Sequence, residues 1–283
     1  MKEENWDLII KPKIKWYQVD LQSIWKYKDL LFLLVRRDFV ALYKQTVLGP
    51  LWFFIQPLIT SITFTFIFGR IAKISTDGNP PMLFYMAGIT FWTYFSDCLT
   101  KTSNTFIANA GVFGKVYFPR LIMPLSVLVS NLIKLGLQLT IFFVFWIYYL
   151  NQTDNNIHPN WSYMWILPLL VFILAGLGLG FGILISSLTT KYRDLNFLVT
   201  FGVQLLMYGS SVVIPVSSMS DKIKSIMLLN PLTSIIEAFR FIFLGTGFFN
   251  GLGIFYSFIF MIVLVFCSVI IFNKVEKSFM DTV

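Results

Sequence analysis

Long apolar runs separated by short polar, mostly basic stretches set the pattern of this chain. The clearest run, LWFFIQPLITSITFTFIFG at Leu51–Gly69, carries no charged residue over 19 positions. As a helix, at about 1.5 Å per residue, it reaches about 29 Å, the thickness of a bilayer hydrocarbon core. Further runs cover 82–99, 122–150, 164–188, 197–214 and 251–272. They are continuous rather than alternating. Inside lipid the backbone must satisfy its own hydrogen bonds, as a helix or as a closed barrel, and continuous runs select helices. The expected fold is an all-α integral membrane protein with six transmembrane helices.

Residues 23–45 follow a different pattern. Tyr27, Leu31, Leu34, Val35, Phe39 and Leu42 recur at helical spacing, while Lys26, Asp29, Arg36, Arg37 and Lys44 lie mostly elsewhere on the wheel. The pattern predicts an amphipathic helix lying in the membrane interface, too charged to span. A second exception falls between runs five and six. Asn230-Pro231 reads as a helix start, with Asn as the cap and Pro in the first turn. The following 13 residues, Leu232–Leu244, contain Glu237 and Arg240. That run is too short and too charged to cross. It predicts a re-entrant or outer-leaflet helix ending near Gly245 and Gly247, with Glu237 and Arg240 paired on one face.

Composition agrees with lipid as the solvent. The chain is 57% apolar and 13% charged, against about 25% charged in soluble proteins. Its mean hydropathy is +0.74. Met1-Lys2-Glu3-Glu4 lacks the apolar region of a cleavable signal, so the first run is expected to remain as a span. The net charge of +8 reflects an uneven distribution rather than a nucleic-acid partner. With the N-terminus inside, cytoplasmic segments hold sixteen Lys and Arg and outer segments five. Both termini are therefore expected in the cytoplasm. The domain reading is an N-terminal segment with its interface helix (1–50), a transmembrane domain (51–273) and a cytoplasmic tail (274–283).

Several chemistries are disfavoured. His158 is the only histidine, so a histidine metal cluster or a Ser-His-Asp triad within one chain is not expected. Asp97, Asp194 and Glu237 stand apart in sequence, which argues against a membrane transferase. Cys98 and Cys267 are read as reduced. Gly111–Lys115 lacks the spacing and the Ser or Thr of a phosphate-binding loop, so no ATP site is expected on this chain. Gly176, Gly178, Gly180 and Gly182 suit close helix packing instead.

Two runs carry polar and aromatic stripes. Trp52, Gln56, Thr60, Thr63 and Ile67 share one face of the first, and Phe197, Phe201, Gln204, Tyr208 and Ser211 one face of the fifth. Such faces point at another helix or at a water-filled path. Aromatic rings stack on the apolar faces of sugars, while amides and hydroxyls bind their oxygens. Lys134 falls near mid-membrane in the third run, as either a snorkelling or paired cation or a functional one.

These residues resemble the membrane subunits of ABC-2-type polysaccharide, O-antigen or teichoic acid exporters. The likeness lies in Arg37-Asp38, Tyr43-Lys44, Leu48-Gly49, Trp52 and Pro57, with Thr46 where the family favours Ser. It continues through Gly88, Phe91-Trp92 and Phe95, then Asn109, Lys115, Phe118-Pro119-Arg120 and Pro124, then Tyr192-Arg193-Asp194-Leu195, and finally Asn230-Pro231 and Arg240. The resemblance implies a transport subunit of a bacterial inner membrane, not an enzyme. It implies a homodimer working with two copies of a separate ATPase that holds ATP and magnesium. It implies coupling to that ATPase through Asn109, Lys115, Phe118, Pro119, Arg120, Arg193 and Asp194. Spans 1 and 5 would line the path, and Asn230, Pro231, Glu237 and Arg240 would form an outer gate. The cargo would be a lipid-linked, O-antigen-like glycan, with Arg36, Arg37 and Lys44 drawing anionic headgroups. Export of teichoic acid, capsule or a small amphipathic molecule is the alternative, because it shares the topology.

Overall fold

A computed structural model describes residues 21–44, 48–109, 111, 118–152, 157–189 and 194–279. The described residues form helices and connecting turns, with no strand among them. In chain order the helices are α1 (Leu21–Lys26), α2 (Lys28–Tyr43), α3 (Trp52–Phe64), α4 (Pro81–Ala108), α5 (Ile122–Leu150), α6 (Leu167–Thr189), α7 (Leu195–Tyr208), α8 (Asp221–Leu228), α9 (Pro231–Leu244) and α10 (Gly251–Phe279). α3 runs on as a π-helix through Thr65–Ile71, and a 3-10 turn at Trp161–Ile166 leads into α6.

Four stretches are long and apolar enough to cross a membrane: Trp52–Ile71, Ile122–Leu150, Trp161–Thr189 and Gly251–Lys274. α8 and α9 would add a fifth only as a pair bent by 103°. Two of the six expected spans therefore differ from expectation, each for a physical reason. α4 is long enough at 28 residues but carries Asp97, Lys101 and many hydroxyls. Protein, not lipid, covers much of it: Phe84, Tyr85, Tyr94, Phe95 and Cys98 are all buried, Asp97 pairs with Lys134, and Lys101 lies exposed toward its end. The sequence ends this helix at 99, yet it continues to Ala108. Its polar residues turn back on the helix, with Thr100, Thr105 and Asn109 donating to the carbonyls of Ser96, Lys101 and Thr105 at 2.7–2.8 Å. α7, expected over 197–214, is apolar but only 14 residues long, about 21 Å.

α6 is the centre of the bundle, with 56% of its apolar window buried. Its four glycines explain how. Gly176 and Gly180 face α10, where an added methyl would collide with Met261 and come within 2.9 Å of Leu264. Gly178 and Gly182 face α4, where the same methyl would stand 2.7 Å from Cys98 and 2.5 Å from Thr102. Alternate glycines thus let two neighbours approach one helix closely, which in lipid supplies the dispersion contacts that hold helices together. By contrast, only 11% of the apolar window of α3 is buried, so most of that helix faces outward.

The bundle has two distinct ends. At one end Leu34 of α2 joins Phe106, Phe118, Ile122, Met123, Ile183 and Phe272 in a small apolar cluster. α2 thereby packs against α5 with Leu34 and Val35 buried, while its Phe32, Arg36 and Arg37 stay exposed, as does Trp25 of α1. The opposite end holds α9, the start of α4 and the α5–α6 connection.

Candidate functional site

α9 is buried along almost its whole length, an arrangement that demands a partner for every backbone group at its ends. The Asn230 side chain accepts from Leu232 N at 3.0 Å, and Pro231 has no N–H to satisfy. The same Asn230 amide donates to Gly209 O and Ser210 Oγ, fastening the end of α7 to the start of α9. At the other terminus Asn160 donates from its amide to Phe241 O and from its backbone to Ile242 O, and the Trp146 indole donates to Phe243 O at 2.7 Å. Gly245 then leaves the helix at φ 76°, where any side chain would also strike the His158 carbonyl. These caps let a short helix end inside the protein.

On α9, Glu237 and Arg240 pair at 3.2 Å, fully buried. Arg240 donates to Ser211 O at 2.6 Å and Val212 O at 2.8 Å, and its guanidinium lies 3.6 Å from the centre of the Phe84 ring. Glu237 accepts from the Ser211 hydroxyl and from Phe248 N at 3.0 Å. The hub ties α4, α9, the strap after α7 and the turn before α10 into one unit. Its opposite charges compensate each other, and both Arg240 Nη groups and both Glu237 oxygens are hydrogen-bonded while Arg240 Nε is left without a partner, which makes the burial tolerable only as a pair.

Ser211 corrects the sequence reading. It was expected on the stripe of the fifth run, but α7 ends at Tyr208 and the chain turns through Gly209. Ser211 sits beyond that turn at φ 57°, fully buried in the Glu237–Arg240 hub. The other stripe residues do share faces. On α3, Trp52, Gln56 and Thr63 are exposed, and Thr60 is half-buried with its hydroxyl on Gln56 O. On α7, Phe197, Phe201, Gln204 and Tyr208 are exposed, Phe197 at 81%, and Val203 is the buried residue that seats the helix. Within one chain both stripes are open faces.

The residues assigned to coupling fall in different surroundings. Phe118 is buried in the small apolar cluster, and Pro119 and Arg120 form the turn that starts α5. Asn109 caps the end of α4, and Asp194 is exposed at the start of α7. Lys115 and Arg193 lie outside the described residues, as does the Tyr43 side chain. On α2, Arg37 makes a two-pronged contact with Asp38 at 2.8–2.9 Å, while Arg36 and Lys44 are exposed.

A second polar group lies between α4 and α5, and it fits the reading of Lys134 as a paired cation, although the sequence did not name its partner. Lys134 pairs with Asp97 at 2.5 Å, and Lys101 donates to Asn131 Oδ1 at 2.9 Å. The only sequence signal was the presence of charges within apolar runs; which ones meet depends on helix packing.

Residues 29–244 match the model of the ABC-2 type transporter membrane domain. This chain belongs to the ABC-2 type transporter family. It is a multi-pass membrane protein, and the family's membrane domain is a transport permease without an ATPase domain, working with a nucleotide-binding subunit. The permease is 27% identical over 253 residues to the O-antigen export system permease protein RfbA of Klebsiella pneumoniae, covering 89% of this chain and 94% of that one. It is 26% identical over 225 residues to the protein of the same name in Myxococcus xanthus, covering 79% and 83%.

Proposed function

We propose that this permease moves a lipid-linked, O-antigen-like polysaccharide from the cytoplasm to the outer side of a bacterial inner membrane. The carrying observation is the pair of open polar and aromatic faces on α3 and α7. Lipid gives such faces nothing to bind, whereas a sugar polymer matches rings, amides and hydroxyls together. The names of its relatives in two bacteria support the same cargo class. Six passes are counted when α4 and α7 are included, α4 being shielded by protein and α7 being supplemented by the strap beyond it. The uneven Lys and Arg distribution supports cytoplasmic termini.

Two copies of the chain face each other across these stripes, and two copies of a separate ATPase supply ATP hydrolysis. ATPase movement reaches the helices through Asn109–Arg120 and Lys191–Asp194, shifting them as rigid bodies. The Asn230–Arg240 segment closes the outer end. Substituting Phe201 and Tyr208 together by Ala tests the path. Surface polymer falls severalfold while dimer formation and ATPase association stay as in the wild type. Unchanged surface polymer would make the stripe a packing face and overturn the proposed path.

A further inference from the structure

Two hollows lie side by side where α2 crosses α4 and α5, with volumes of about 290 and 500 Å³. Asp38, Lys101 and Val127 line both, so they form one crevice. The charges in it are unevenly matched. Arg37 is taken by Asp38 and Lys134 by Asp97. Lys101 has only the neutral amide of Asn131, with no carboxylate in ion-pair distance among the described residues. The Ser130 hydroxyl, also in the lining, is enclosed and has no hydrogen-bond partner there. One cation without a carboxylate partner and one enclosed hydroxyl thus line a space large enough for a phosphate, and the Asp38 carboxylate on its wall is held by Arg37.

The walls narrow the choice of ligand. Phe39, Phe53 and Val127 make one side of the crevice apolar. Lys101 sits seven residues before the end of α4, about 10 Å along the helix. A soluble anion would gain nothing from those walls. A phospholipid would place its phosphate on Lys101 and its first chain carbons against the rings. Basic pockets between transmembrane helices hold anionic headgroups by this combination.

We propose that the crevice between α2, α4 and α5 binds the phosphate of an anionic membrane phospholipid through Lys101. Bound there, the lipid joins the interface helix to the bundle and supplies the negative charge that Lys101 lacks. The inference stands apart from the transport reading and is tested without transport.

The full chain is placed in nanodiscs of equal parts phosphatidylethanolamine and phosphatidylglycerol, released, and weighed by native mass spectrometry. Wild-type protein retains phosphatidylglycerol in preference to phosphatidylethanolamine. Lys101→Gln lowers that preference about fivefold, and Lys101→Arg keeps it. Lys222→Gln with Lys224→Gln, in α8, leaves it unchanged. Equal retention of both lipids by the wild type would overturn the proposal, whatever the variants do. So would an unchanged preference in Lys101→Gln. Loss of the retained lipid from wild-type protein in millimolar inorganic phosphate would assign the crevice to free phosphate and overturn the lipid assignment.

Discussion

Gly88 of α4 lies directly beneath the Arg240 guanidinium: a methyl group at position 88 would come within 2.7 Å of Arg240 Nη2 and 3.2 Å of Val212 O. Arg240 cannot retreat, because Ser211 O, Val212 O and the Phe84 ring hold it on other sides. Gly88→Val therefore forces the hub apart. A loss of about 1–3 kcal/mol is expected from overpacking of this kind. A thermal unfolding series of Gly88→Ala and Gly88→Val, in detergent, should show a graded decrease.

The hub itself is open to a double-mutant cycle. Arg240→Met leaves Glu237 buried without its cation, and removing one member of such a pair costs about 3–5 kcal/mol. Glu237→Leu together with Arg240→Met removes both charges. The double variant should be more stable than the sum of the single losses allows. Additive losses would mean that the two residues act independently despite their 3.2 Å separation.

Glycines in this chain should differ sharply by position. Gly182→Val drives a side chain into Thr102, 2.5 Å from the added Cβ, and should lower the yield of monodisperse protein severely. Gly136, exposed on α5, has nothing within 4 Å of an added Cβ. Gly136→Ala should be neutral or stabilising by up to about 1 kcal/mol, since alanine is the better helix former. Size-exclusion profiles of both variants check the contrast.

Asp97 and Lys134 should behave as a pair. Asp97→Asn and Lys134→Met each strand one charge between α4 and α5, where side-chain exposure is only 24% and 14%. The exchange Asp97→Lys with Lys134→Asp should recover part of the folded yield lost by either single change. No recovery would indicate that surrounding groups, such as Lys101 and Asn131, fix the polarity of the pair.

Local signals made much of this architecture readable. The run at 122–150 coincides with α5, because its ends are marked by abrupt changes in polarity. Asn230-Pro231 and Gly245 delimit α9 because capping chemistry is local. The three-residue spacing of Glu237 and Arg240 placed them on one face. What the pair binds was not readable, since Phe84, Ser211 and Phe248 come from three other parts of the chain. Ser211 was misplaced for a related reason. Helical periodicity extends a stripe for as long as residues suit it, and it does not show that a tertiary contact ends α7 at Tyr208. α4 was cut short because Asp97 and Lys101 read as the end of an apolar run, whereas Asp97 is taken up by Lys134 and the helix carries the exposed Lys101 beyond it.

The most direct measurement of the central claim is made in cells of the source organism lacking this gene. Lipid-linked glycan is located by fractionation and by protection from an impermeant glycosidase. The account predicts that glycan accumulates on the cytoplasmic face while surface polymer is lost, both reversed by the wild-type gene. Unchanged surface glycan in the deletion strain would contradict polysaccharide export and direct attention to a small amphipathic cargo.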